Sequence, residues 1–384
     1  MPDSRESLAG ASPGERAASP PNNIDTSFAR WKDVRILEIG DRSLFAETLP
    51  QNTLLLWTGL HKIPAAPGRM NFGPSQAFML MRALRNGSYD LIVCYPPPDN
   101  PLGIGTLFRL LGRKGPALLP ALFRGCVPEF LRLPTNTPIA VLDTEDWTLV
   151  ERHNFHLLYR CRAYFKRELP PDHWKAFVKT AHPHVPTARV RRNRALREGV
   201  SKMRPLALGI SETKLSMIGD AKRDKTVDVF FAGALENSTV RETGVSQLKC
   251  LQDQGYRVDI AGSGLSKEEY FARCSRAWLT WSPEGYGWDC FRHYEAAACE
   301  SVPIISQTTI HRHEPMRHGV HCFYYDVEGD DLQNVIVNAL ADKQRLAAIA
   351  CNARDHVLKH HTHSKLCEYI LESVLGDTNI NATE

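Results

Sequence analysis

The densest run of residues able to do chemistry is SPEGYGWDCFRHYEAAACESVPIIS, Ser282 to Ser306. Gly285 and Gly287 flank Tyr286 in what reads as a loop after a strand, where missing side chains let backbone approach a ligand closely. Asp289 is placed to N-cap the helix that follows, and a helix start offers free N–H groups and positive dipole to an anion. Arg292 and Glu295 fall three residues apart on one face of that helix, with Cys299 a turn further on. Ala296, Ala297 and Ala298 suit close packing on a sheet, and Pro303 makes continuation of the helix unfavourable. The same spacing also fits an ordinary surface ion pair between Arg292 and Glu295.

Three other segments carry candidate groups. VLDTEDW places Asp143, Glu145 and Asp146 at the end of an apolar run, a natural position for a general base, and equally for turn-forming acids beside Trp147. His61, just after the second apolar run, is a further base candidate. In FAGALENSTVRE, Thr239 and Glu242 have capping-box spacing, which sets a helix start just beyond a small-residue loop at Gly233 and Ala234. Histidines gather at His311, His313, His318 and His321 and again at His360, His361 and His363. Their spacing departs from that of zinc sites, so no metal site is expected. The first group reads as polar lining of a cleft and the second as decoration of a terminal helix.

These groups need elements to hold them. VRILEIG, TLLLWTG, YDLIVCYP and PIAVLDT in the first half, then VDVFFAGA, YRVDIAGS, RAWLTWSP, VPIIS and CFYYD in the second, are short continuous apolar runs, the mark of strands buried on both faces of a parallel sheet. Helical stretches lie between them. In SQAFMLMRALRNG the apolar positions Phe78, Met81 and Leu84 recur at three-residue spacing and Gly87 suits a C-cap. Two βαβ series with a break between them predict an α/β chain of two Rossmann-like domains facing a central cleft, the expected site. The expected domains are residues 31–210 and 211–376, between a disordered tail at 1–30, poor in large apolar residues, and a tail at 377–384. The basic run TARVRRNRALREGVSKMR near the break reads as a solvated face.

Composition narrows the function classes. The chain has 384 residues and a formal net charge of +4, too mild to imply nucleic acid or membrane partners. Its 10 cysteines contain no CxxC pair and no apolar leader opens the chain, which predicts reduced thiols and a cytoplasmic location. No window has the ~18 uninterrupted apolar residues of a spanning helix.

The segment SKEEYFARCSRAWLTWSPEGYGWDCFRHYEAAACESVPII resembles the donor-site signature of GT-B glycosyltransferases, in particular exostosin-like and spore-coat-type members. The shared pattern is a Tyr-bearing helix, a strand, a Gly-containing loop, R-x-x-E-A and a V-P-I strand. The resemblance implies a GT-B fold and transfer of a sugar from a nucleotide-diphosphate sugar to a glycan, lipid or protein acceptor. Glu295 would bond the nucleotide ribose. Arg292 would face phosphate or orient Glu295, while Gly233 and Ala234 would meet the diphosphate with backbone N–H groups. Gly285, Tyr286, Gly287 and Asp289 would complete the nucleotide-sugar site. Glu284 lies eleven positions before Glu295, further than in the commoner bacterial pattern. YFKRELP is similar to a segment near the hinge of related transferases, with Lys166 or Arg167 toward the donor phosphates, or it is an exposed charged strand end. The resemblance also implies metal-free transfer with no cofactor beyond the donor substrate, and leaves Asp143 and Glu145 as base candidates. A nucleotide-sugar epimerase or hydrolase, or a non-catalytic nucleotide-binding protein of the same fold, would share the donor pocket.

Overall fold

The computed structural model describes residues 26–59, 62–64, 66–97, 126–179, 189–190, 192, 194–219, 224–235, 238–329 and 331–376. His61 and the tail at 377–384 lie outside them, as does residues 1–25 of the expected N-terminal tail; Thr26–Trp31 forms a 3-10 helix. The chain divides into a short unit, Met1–Lys32, and a body, Asp33–Glu384, that contains both sheets.

In the first sheet β1 (Ile36–Gly40), β2 (Thr53–Trp57), β3 (Arg69–Asn71), β4 (Leu91–Cys94), β5 (Ile139–Asp143) and β6 (Ala163–Lys166) are followed, after a two-stranded ribbon of β7 (Val178–Lys179) and β8 (Arg189–Val190), by β9 (Met203–Pro205). The order is β3-β2-β1-β4-β5-β6-β9, with every pair parallel. The second sheet holds β10 (Val227–Ala232), β11 (Val258–Ala261), β12 (Ala277–Ser282), β13 (Val302–Ser306) and β14 (Phe323–Tyr325) in the order β11-β10-β12-β13-β14, again parallel. All nine apolar runs named above became strands. Five strands fall outside those runs: the three-residue edge strand β3, too short to carry a pattern, the comparably short β7, β8 and β9, and β6, whose AYFK is wholly buried despite ending in a lysine.

Helix Pro74–Asn86 ends on Gly87 in the left-handed region (φ 61°), as the sequence suggests, but turns a different face inward. Ala77, Leu80, Ala83 and Leu84 are buried and Phe78 is 68 % exposed. The stripe at 77, 80 and 84 follows the 3.6-residue period more closely than one at strict threes. The basic run before β9 forms helix Arg194–Ser201, which buries Leu196 and leaves Arg194 and Arg197 in solvent, a solvated face.

The last helix, His363–Leu375, packs on the first sheet: the Tyr369 ring meets Phe165 edge-on at 5.4 Å and its hydroxyl donates to the Pro205 carbonyl at 3.2 Å. Beside it the Ile210 main chain bridges two residues, its N–H donating to the His361 carbonyl and its carbonyl accepting the His363 N–H, both at 2.9 Å. Among the described residues no helix is long and apolar enough to cross a membrane.

The second core is set by Trp281, fully buried with its ring 4.6 Å from Phe231. Helix Thr239–Asp253 crosses this indole at Gly244, where an added Cβ would collide with Trp281 Cζ2. Alanine ordinarily favours a helix over glycine by about 1 kcal/mol. Here overpacking against an immobile ring, costing about 1–3 kcal/mol, reverses the sign. Gly244→Ala is expected to lower the denaturant midpoint, and a midpoint equal to or above wild type would contradict this packing.

Candidate functional site

Parallel strands place all their following loops at one sheet edge, so the loops after β10, β11 and β12 meet on one side of the second sheet. Opposite them stand the loop after β5 and the end of β6. Together they enclose a cavity of about 570 Å³ whose walls include Glu145, Arg167, Gly233, Gly285, Tyr286, Arg292 and Glu295. With Asp146, which lines it as well, the structure brings eight of the sequence-derived candidates to one cleft. Asp143, Lys166, Ala234, Gly287 and Asp289 stand outside its lining.

The loop 283–290 owes its shape to hydrogen bonds at many of its backbone polar groups, which folding into the protein must satisfy. Glu284 N–H donates to Ser306 Oγ at 3.2 Å, and its carbonyl accepts Arg241 Nη2 at 3.2 Å. The Pro283 carbonyl accepts Arg292 Nη1 at 3.2 Å. The Trp288 carbonyl accepts His293 Nε2 and Arg312 Nη2, each at 2.9 Å. His293 is buried and its Nδ1 lies 2.7 Å from Ser282 Oγ; burial and the nearby Arg312 hold its proton affinity well below the usual histidine range, so it serves as a neutral strut.

Asp289 has a different role from the expected helix cap. Helix Phe291–Ala298 takes Cys290 as its N-cap residue, with no side-chain cap bond. The buried Asp289 carboxylate instead accepts Tyr294 OH at 2.6 Å and the Leu208 N–H at 2.9 Å. A phenol and a main-chain donor from the interdomain crossover outcompete the local capping geometry. Gly287 is also reassigned: a Cβ there would stand 2.5 Å from Glu168 Oε1, so the missing side chain makes room for a carboxylate of the first sheet and not for a ligand. Thr239 is the first helical residue and Ser238 the cap, its Oγ accepting Arg241 N–H at 3.3 Å. Cys299 is buried among core residues and does not extend the charged face.

Arg292 and Glu295 do not pair with each other. The Arg292 guanidinium lies 5.6 Å from the Phe231 ring centroid and within 3.2 Å of where a Cβ on Gly233 would be. Glu295 binds Lys214 Nζ at 2.5 Å, and that ammonium also sits 4.7 Å from the Phe291 ring centroid. Arg241, besides its bonds to Glu284, donates to the Ala234 carbonyl at 2.9 Å, which is how Ala234 contributes. Burial and the neighbouring Arg292 charge lower the proton affinity of Arg241. Among the described residues neither Arg241 nor Arg292 forms a salt bridge; Arg292 lines the cavity with its charge uncompensated, while Arg241 stands behind the wall on the Glu284 and Ala234 carbonyls. The Tyr270 hydroxyl, on another wall, is buried without a hydrogen-bond partner.

On the first-sheet side the candidates separate. Asp143 is buried and accepts Tyr164 OH at 2.8 Å and Lys166 Nζ at 2.9 Å, and Lys166 is 0 % exposed. That pair fills the strand ends below the cleft, so the Lys166 ammonium does not reach toward a ligand, and YFK is neither phosphate-facing nor an exposed charged end. Arg167 reaches the cleft wall but spends its donors on the carbonyls of Asp289 (Nε, 3.0 Å) and Thr144 (Nη1, 3.2 Å) and on Asp146. Glu145 lines the cavity, and its carboxylate has no hydrogen-bonding partner among the described residues. Burial first, then the negative charges of Asp143 and Asp41, push its pKa up to about 7.

The histidines do not line this cavity. His313 stacks on Tyr369 at 3.9 Å, and His321 stacks on His356 at 4.1 Å. His361 is buried, not surface decoration, and its Nε2 lies 2.9 Å from the Glu314 carbonyl, as does that of His356. Among the described residues no three His, Cys, Asp or Glu side chains are grouped to hold a metal ion. Burial drives His313 down to about 4. The unfolded chain, with a histidine pKa of about 6.5, binds protons that the folded chain refuses, so this group removes stability as pH falls from about 6.5 to about 4. His313→Phe keeps a ring on Tyr369 without the titration. It should lose less melting temperature between pH 7 and pH 5 than wild type, and an equal loss would contradict the assignment.

The sequence run at 282–306 marked the loop 283–290, but Lys214, Arg241 and Glu168 went unnoticed, as did the wall made by Gly262, Ser263 and Gly264. A small-residue loop after a strand, AGSG after β11, was the one available signal.

Residues 241–372 match a protein family described as "Glycosyl transferase-like". No curated protein matches the chain in sequence. Among solved structures, the sucrose-phosphate synthase of Thermosynechococcus elongatus is similar at a TM-score of 0.52 and 13 % identity, over 91 % of this chain and 100 % of that one. An alpha-glucosyltransferase in complex with UDP and a 13-mer DNA containing a central A:G mismatch is similar at a TM-score of 0.51 and 9 % identity, over 88 % and 99 %. At such identities the likeness is one of fold.

Proposed function

We propose, the chain being a glycosyltransferase of the GT-B fold, that it carries a sugar from a nucleoside-diphosphate sugar to an acceptor hydroxyl in the cleft between its two sheets. The observation that carries the reading is the uncompensated Arg292 guanidinium beside the small-residue turn at Gly233 on the cavity wall. A diphosphate is the ligand chemistry that such a site neutralises, and charge developing on the leaving group is where fixed cations do most for the rate. Glu295, oriented by Lys214, offers carboxylate oxygens to the ribose hydroxyls, the role its place in the R-x-x-E-A pattern suggests. Glu145 takes the acceptor proton while the hydroxyl oxygen bonds to the anomeric carbon and the sugar–diphosphate bond breaks. With the leaving charge met by Arg292, no metal ion is required.

Incubating the protein with nucleotide sugars, with and without a panel of glycan, lipid and peptide acceptors and with EDTA, tests this directly. Acceptor-dependent release of nucleoside diphosphate, unaffected by EDTA, is expected. Release that ignores acceptor would point to a nucleotide-sugar hydrolase, and no release under any condition to a binding protein.

A further inference from the structure

The donor loop is gripped from the opposite sheet. Glu168, two residues past β6, is 0 % exposed, and its carboxylate oxygens accept the main-chain N–H groups of Trp288 at 3.2 Å and Asp289 at 3.0 Å. Arg167 beside it donates from Nε to the Asp289 carbonyl at 3.0 Å and lies 3.4 Å from Glu168 Oε1. The close approach of Glu168 Oε1 to Gly287 completes the grip. A carboxylate so buried is tolerable because two N–H donors and a guanidinium compensate it. The segment it holds runs straight into Cys290, the first cap of helix Phe291–Ala298, which carries both Arg292 and Glu295. Glu168 is not part of the cavity wall and would touch no donor atom.

We propose that Glu168 is a positioning residue: it fixes the main-chain path of Gly287–Cys290 and thereby the start of the helix that presents Arg292 and Glu295, so that nucleotide affinity depends on contact between the two sheets. The proposal rests on reading the cavity as a nucleotide-sugar site. Removing the carboxylate leaves two buried N–H groups without an acceptor, and the loop must move to satisfy them.

Calorimetric titration with UDP, GDP, CDP, TDP and ADP, together with amide hydrogen exchange, on the full chain tests it in wild type, Glu168→Gln, Gly287→Ala and Glu295→Ala. Glutamine keeps the shape but has one acceptor oxygen for two donors. Glu168→Gln is expected to speed exchange over 285–290 by about tenfold and to weaken the preferred nucleotide by about tenfold, without changing exchange in β10, β12 or β13. Gly287→Ala, which presses on the same carboxylate from the other side, should do likewise and decides the matter if Glu168→Gln does not fold. Glu295→Ala should weaken the nucleotide and leave loop exchange alone. Faster exchange with unchanged affinity, or no change in either, overturns the positioning role. Wild type that takes up none of the nucleotides overturns the donor-site reading itself, and the positioning role with it.

Discussion

Arg292→Ala is expected to slow sugar transfer by about 100- to 1000-fold, the usual cost of removing one fixed charge stabiliser from a transition state. The guanidinium is held on the Phe231 face and by the Pro283 carbonyl, so its position is set before any ligand arrives. Its net worth to folding is one partly buried hydrogen bond, about 1 kcal/mol, so the variant should fold. Arg292→Lys keeps the charge and loses the planar fork, and should recover only part of the rate. Because Glu295 remains to hold the nucleotide, binding should fall less than kcat/KM. A rate within a few-fold of wild type in Arg292→Ala would remove this residue from the chemistry.

Glu145→Gln should cost about 100-fold in rate or more, the lower end of what a positioned general base contributes. The isosteric amide leaves shape and hydrogen-bonding capacity nearly intact, and Glu145 faces no phosphate-binding group, so nucleotide affinity should be unchanged. The pH dependence is the sharper mark. With its pKa raised to about 7, Glu145 is protonated and idle in acid, so wild-type kcat/KM should rise with pH and level off above about 7. The glutamine variant should show no such rise. The same pKa has the opposite effect on folding: the folded chain holds this proton between about 4.5 and 7 while the unfolded chain has lost it, so Glu145 withdraws stability as pH rises through that window. Activity and stability contributions from this one group should therefore run in opposite directions with pH. An unchanged rate profile in Glu145→Gln would assign the base elsewhere.

The architecture was legible because strands buried on both faces of a parallel sheet must be apolar throughout, and TLLLW, LIVC, IAVLD, VFFA and VPIIS have no other ready use. β6 escaped that logic through Lys166, which a reader takes for a surface group until Asp143 is seen beside it. The helix Pro74–Asn86 was located correctly, with its Gly87 cap, yet its buried face was misassigned because Phe78 is large and apolar but points outward. At the site, what one short segment encodes was readable: Gly285, Arg292 and Glu295 all face the cavity. What depends on distant partners was not. Asp289 looked like a helix cap because local preference favours it there, and the groups that claim it, Leu208 N–H and Tyr294 OH, are fixed only by the fold. Lys214 on Glu295 and Glu168 on the donor loop are separated in sequence by 81 and 120 residues from what they hold, beyond the reach of any spacing rule.

The most direct measurement is thermal unfolding of wild type and Glu295→Ala against UDP, GDP, CDP, TDP and ADP. A single-site ligand at a hundredfold excess over its dissociation constant stabilises the folded chain by about 2.7 kcal/mol, which a melting curve resolves. One nucleotide raising the melting temperature of wild type, with a much smaller rise in Glu295→Ala, is the predicted result. A chain whose melting temperature none of the five nucleotides raises, or one in which Glu295→Ala responds as wild type does, would contradict a nucleotide-sugar site built on Arg292 and Glu295.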